Sequence, residues 1–121
     1  MMVVEWVFDG LFMKGDDGKK YPVPPNYASK TKLISGDRLK VTIAQDNTIV
    51  YKLINPVERI HLRATLLKDA QGKMVAVTPD RVIYKLNQAA VSYFQAQPGQ
   101  ELVIIVSADR VAGFAAIESL V

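Results

Sequence analysis

The stretch LISGDRLKVTIAQDNTIVYKL, residues 33–53, decides how this chain folds. Within it Leu39, Val41 and Ile43 alternate with Arg38, Lys40 and Thr42, the period-two pattern of a strand with one buried face. The polar turn Gln45-Asp46-Asn47 then leads into a second such run, TIVYKLINPV, so the two predict a hairpin. Gly36 and Asp37 stand in front of it. A chain entering a strand through a tight turn needs a residue tolerant of positive φ, which glycine supplies without a Cβ clash. The short carboxylate of Asp37 can accept hydrogen bonds from backbone amides left unpaired at that turn. The pair is therefore read as structural rather than catalytic.

Working outward, FMKGDDGKKYPVP reads as another hairpin, with Pro22 and Pro24 placing its second strand at a sheet edge or ending it there. PNYASKTKLIS leaves room for a short helix, with Asn26 as its N-cap. The unit is strand, strand, short helix, strand, strand. Sliding the chain against itself by 63 residues brings Tyr21 onto Tyr84, Ser29 onto Ser92, Gly36 onto Gly99, Leu39 onto Leu102, Asp46 onto Asp109 and Ile54 onto Ile117. Tyr51 with Phe114, Val41 with Ile104 and Ile43 with Val106 keep their character at the same offset. MKGDDGKK matches LKDAQGKM at an offset of 54, which would put nine extra residues, around AVTPDRV, between the first hairpin and the helix of the second copy. The sequence thus predicts one domain, residues 1–121, with repeats at about 4–57 and 58–121. Its expected fold is mostly β: a cradle-loop barrel with two short helices, built from two ββαββ repeats with pseudo-twofold symmetry.

At 121 residues, half of them apolar, the chain can bury a core of its own. It has no cysteine, which excludes disulfides, thiolate metal sites and cysteine nucleophiles. The N-terminal MMVVEWVFDGLFMKGDD has no basic leader and is too short an apolar run to span a bilayer, so a cytoplasmic protein is expected. The net charge is +3, and the excess sits early: residues 1–57 carry eight basic and six acidic side chains, residues 76–121 three and four. Any anion-binding surface belongs to the first two thirds of the chain.

The segment DGKKYPVPPNYASKTKLISGDRLKVTIAQDNTIVYKL resembles the AbrB-type swapped-hairpin DNA-binding domain over about residues 11–55, and a degenerate version covers about 64–120. The shared pattern is a Gly-basic turn, an apolar strand ending in Pro, a short helix, Gly-Asp, and a hairpin with an acidic turn. YPVPPNYASK is also similar to a stretch of small bacterial proteins with no assigned activity. The AbrB resemblance implies a barrel closed by both copies within one chain, and DNA contacts from basic residues of the first turn and helix. Carried over by position these are Lys19, with Lys14 and Lys20 nearby, while Lys30 and Lys32 substitute for helix arginines from neighbouring positions. Tyr93 and Gln95 replace Lys30 and Lys32 in the second copy, leaving it nearly neutral.

Other chemistry is thinly supported. His61 is the only histidine, so no metal site is expected, and neither Ser92 nor Ser107 stands in a nucleophile motif. Neither GDDGKK nor AQGKM has phosphate-loop spacing. Arg59, His61 and Arg63 share one strand face and read either as a solvated stripe or as accessory phosphate contacts. Trp6, Phe8, Phe12 and Tyr21 read as core rather than as base-stacking residues. Where the first copy has LKVTI the second has LVIIV, so the outward Lys40 and Thr42 become Val103 and Ile105, a face that another element, or another chain, should cover. Two functions follow as expectations: a non-enzymatic DNA-binding protein, with no cofactor, using Lys14, Lys19, Lys20, Lys30, Lys32, Arg59 and Arg63; or a protein-interaction or assembly module using Val103 and Ile105.

Overall fold

The computed structural model describes residues 2–10, 12–15, 20–111 and 113–121. Its elements are β1 (Met2–Phe8), β2 (Phe12–Lys14), β3 (Lys20–Pro22), α1 (Pro25–Thr31), β4 (Arg38–Ile43), β5 (Ile49–Asn55), β6 (Arg59–Lys68), β7 (Met74–Val77), β8 (Ile83–Leu86), α2 (Gln88–Phe94), β9 (Glu101–Ser107) and β10 (Phe114–Leu120). The mostly β fold with two short helices and a closed barrel is as the sequence predicts. The first five strands form an open sheet in the order β3-β2-β1-β4-β5, and the last five close into a barrel, β10-β8-β7-β6-β9. The two orders are the same once each strand is matched to its copy.

The match extends to register. Met13 faces Tyr21 and Ala76 faces Tyr84; Trp6 faces Leu39 and Ala64 faces Leu102. From β2 through β4 the copies stand 63 residues apart, whereas β1 and β6 stand 58 apart: Gly36 N–H donates to the carbonyl of Phe8, and Gly99 N–H to that of Leu66. The length difference therefore lies in the β6–β7 turn, residues 69–73, not between the first hairpin and the helix. MKGDDGKK and LKDAQGKM are not equivalent, because Met13 matches Ala76 and Tyr21 matches Tyr84, an offset of 63 rather than 54. β10 is displaced too. Val41 pairs with Tyr51 but Ile104 with Ile117, so Ile117 replaces Tyr51 rather than Ile54.

Local geometry repeats as closely. Both helices end on a left-handed residue, Lys32 (φ 56°) and Gln95 (φ 52°), and both turns into the fourth strand use glycine, Gly36 at φ 97° and Gly99 at φ 92°. Asn87 caps α2 by accepting from Ala89 N–H, whereas Pro24 holds the equivalent place before α1 without a side-chain cap. Asn26 thus lies inside α1, and proline's fixed φ starts that helix instead.

Each copy keeps its own core, which differs from the single shared barrel that the family resemblance implies. Trp6, Phe8, Met13, Leu39 and Val41 fill the first, and Leu66, Tyr84, Leu102, Ile104 and Val106 fill the second. A third, small cluster joins them: Ile34 from the first copy packs on Ile105 and Ala116 of the second, with Val57 against it. Ile105 is 5% exposed, so the apolar outward face of β9 is covered there by the chain's own first half. Among the described residues no helix is long and apolar enough to cross a membrane.

Candidate nucleic-acid interface

Cross-strand partners in a sheet point to the same side. On the open sheet, Trp6, Leu39 and Val41 point into the core, so Val7, Arg38 and Lys40 point out. Pairing carries this alternation across all five strands. One row reads Lys20, Lys14, Val7, Arg38, and the next reads Glu5, Lys40, Lys52. Among the described residues of the paired strands, these rows set five basic side chains beside one acid, Glu5, and Lys14, Lys20, Lys40 and Lys52 are all exposed. Four strand spacings make the patch about 20 Å wide.

Two pairs on this face are like-charged neighbours: Lys14 lies directly opposite Lys20, and Lys40 opposite Lys52. Such pairs oppose folding, by up to about 1 kcal/mol each. Among the described residues, the acids nearby relieve them little. Lys20 lies 4.0 Å from Asp9 and Arg38 3.9 Å from Glu5, exposed pairs at the limit of contact. Phe12, 38% exposed and opposite Pro22, is an aromatic on the same face, next to Lys14. Trp6 and Phe8 are core as expected, but Tyr21 is partly exposed where its ring meets Trp6 edge-on.

The other basic residues singled out from the sequence do not join this face. Lys19 lies outside the described residues. Lys30 is exposed on the last turn of α1. Lys32 reaches across to the second copy, where its ammonium donates to the carbonyls of Ile117 and Glu118 and pairs with the Glu118 carboxylate at 3.4 Å. His61 lies 3.7 Å from the same carboxylate. Arg63 pairs with Glu101 at 3.6 Å on the barrel.

Arg59 is engaged most fully. Its guanidinium meets Asp37 at 2.7 Å, and Asp37 is completely buried. Asp37 also accepts from Ile34 N–H at 3.0 Å and Val57 N–H at 2.9 Å, so its carboxylate holds its own turn, the linker between copies and the first residue of β6 together. The turn role expected for Asp37 is what these bonds describe. Arg59, expected as an accessory phosphate contact, has its charge matched inside the molecule, where breaking the pair would strand a partly buried cation.

Acids elsewhere serve turns. The Thr78 hydroxyl, then Arg110 2.9 Å away, hold the Asp80 carboxyl below its ordinary range. The Ser107 hydroxyl and Val111 N–H do the same for Asp109, and the hydroxyl and amide of Thr48 for Asp46. Among the described residues no group of three or more His, Cys, Asp or Glu side chains could hold a metal ion.

No family model, curated protein or solved structure matches this chain. Its chemistry must be read from its own residues. Arg38, Lys40 and Lys52 were missed as site residues because a charge count gives position along the chain but not position across a sheet. The alternation in RLKVTI already turned Arg38 and Lys40 outward; the pairing register was needed to set Lys52 beside them.

Proposed function

We propose that this protein is a non-enzymatic nucleic-acid-binding module that grips DNA phosphates with the outer face of its first repeat, through Lys14, Lys20, Arg38, Lys40 and Lys52. The observation that carries this reading is the pair of like-charged cross-strand neighbours on one exposed face. Each opposes folding of the free protein, and each is relieved when a polyanion lies across the sheet. Lysine and arginine on an extended surface contact the backbone and carry little base information, so binding is expected to be weakly selective for sequence. The AbrB resemblance points to the same ligand and the same end of the chain, with Lys19 between Lys14 and Lys20. The alternative of an assembly surface at Val103 and Ile105 has less support, because Ile34 and Val57 of the same chain pack over Ile105.

Fluorescence anisotropy with a random-sequence duplex tests this. Five phosphate contacts give a slope of about −4.5 in log K against log salt, a roughly 500-fold loss of affinity between about 50 and 200 mM. Lys14→Glu with Lys40→Glu should abolish binding at the lower salt, while Arg63→Glu on the barrel should leave it within about twofold. Absence of binding at low salt, or equal sensitivity to the Arg63 change, overturns the proposal.

A further inference from the structure

A cavity of about 600 Å³ lies between the repeats, and none of Lys14, Lys20, Arg38, Lys40 and Lys52 lines it. That is the size range of sites that enclose a small organic molecule. Its walls are Val23 and Ala28 from the first copy and Val75, Leu86 and Phe114 from the second. Most polar groups around it are already satisfied. The Gln88 amide brackets the Met74 backbone, accepting from its N–H at 3.1 Å and donating to its carbonyl at 3.0 Å. Asn87 donates to the Pro25 carbonyl and caps α2. Asp69 turns one carboxylate oxygen onto its own loop, where it accepts from Gln71 and Lys73 N–H.

Lys73 and Lys85 are different. Both line the cavity, and neither has an acidic partner within 4.0 Å among the described residues. The Lys85 ammonium lies 5.9 Å from the centroid of the Phe114 ring, beside the apolar wall. Two unmatched cations at an apolar cleft complement a molecule with an apolar body and a single anionic head. The cleft also comes from what distinguishes the two copies. Asp69, Gln71 and Lys73 belong to the β6–β7 turn, which is longer than its counterpart at residues 9–11. In that counterpart stands Gly10, where a Cβ would come within 1.7 Å of the Phe114 ring. Glycine there lets the aromatic form the wall.

We infer that the inter-repeat cleft is a binding site for a small amphipathic carboxylate, its chain against Val23, Leu86 and Phe114 and its head between Lys73 and Lys85. Octanoate is the probe, octanol its neutral counterpart, and backbone amide NMR shifts with calorimetry are the readouts. Octanoate should shift the amides of Ala89, Leu86 and Phe114 and bind at least fivefold more tightly than octanol. Lys73→Met and Lys85→Met keep the aliphatic stem and remove the charge; each should lower octanoate affinity severalfold and leave octanol unchanged. Ala89→Trp should block both ligands, and its amide spectrum outside the cleft reports whether the fold is kept. Lys40→Glu should leave octanoate binding intact, which separates this site from the DNA face. Equal affinity for the two probes, indifference to both methionine variants, or shifts centred on the open sheet would each overturn the inference.

Discussion

The two halves follow one path to different ends: the second repeat closes its barrel and the first does not. Closure joins β8 to β10 in parallel, Phe114 beside Lys85 and Ala115 beside Leu86, and Lys85 N–H donates to the Gly113 carbonyl at 2.9 Å. The residue 63 positions earlier is Pro22, which has no N–H to give. Phe12 faces Pro22 as Val75 faces Lys85, so the missing donor would point to the free edge of β3, where a proline is tolerated. β5 is also set differently from β10 against its neighbour, and an apolar opening of about 270 Å³, lined by Trp6, Tyr21 and Tyr51, remains where the second copy has its closing pair. An open sheet keeps its outer face free along all five strands, and that face carries the basic rows. The outcome is a closed barrel in one half and an exposed charged face in the other.

The sharpest test of this difference is at the turn acid. Asp37→Ala removes the partner of a guanidinium that is only about a quarter exposed and frees two amides, so it should cost about 3–5 kcal/mol in chemical denaturation. Gln100 holds the equivalent place and accepts from Gln97 N–H as Asp37 accepts from Ile34 N–H, but it is exposed. Gln100→Ala should cost about 1 kcal/mol or less. Equal losses would mean that the burial of Asp37 at the junction contributes nothing.

Next in size is the closing bond itself. Lys85→Pro removes the donor and fixes φ within a paired strand, and should destabilise the protein by about 3 kcal/mol. Pro22→Lys supplies the donor but not a neighbouring β5 to receive it, so stability should stay within about 1 kcal/mol of the parent. Hydrogen exchange at Ala115 and Leu86 would register the opened barrel directly. If Lys85→Pro were silent, the proline would not be what distinguishes the two edges.

Much of this was legible in the sequence because it is written in local chemistry. Gly36 and Gly99 mark positive-φ turns, RLKVTI alternates because one face is buried, and Pro22 ends an edge strand. The Asp37 bond to its own turn follows from a short carboxylate beside a tight bend. What stayed hidden depends on distant partners. Nothing near Arg59 announces that it will meet a carboxylate 22 residues earlier, so it read as a surface cation. The length difference was misplaced because the matching Gly-Lys pairs outweighed the strand register. The face formed by Lys14, Arg38 and Lys52 exists only once β1 lies between β2 and β4, an order that the chain does not spell out.

The smallest contrast concerns the acids of the last hairpin in each copy, and here the repeats should agree. Asp46 accepts from Thr48 N–H and Asp109 from Val111 N–H, each at 3.0 Å, and hydroxyls of Thr48 and Ser107 add to them. Both carboxyls are held below their ordinary value of 3.8, the cause in each case being first a side-chain hydroxyl and then a backbone amide. A folded carboxyl that gives up its proton more readily than the unfolded one stabilises the protein while ionised. The contribution is therefore present above 3.8 and is lost as pH falls through that value toward the lowered one. Thermal midpoints measured from pH 6 down to about pH 2 should drop, and Asp46→Asn and Asp109→Asn should each flatten the drop by a similar amount. Asp80→Asn should flatten it too and, unlike the others, weaken the effect of added salt, because Arg110 is part of what holds that carboxyl ionised. A flattening confined to Asp109 would show that the two hairpin turns, alike in backbone, differ in how firmly they hold their acids.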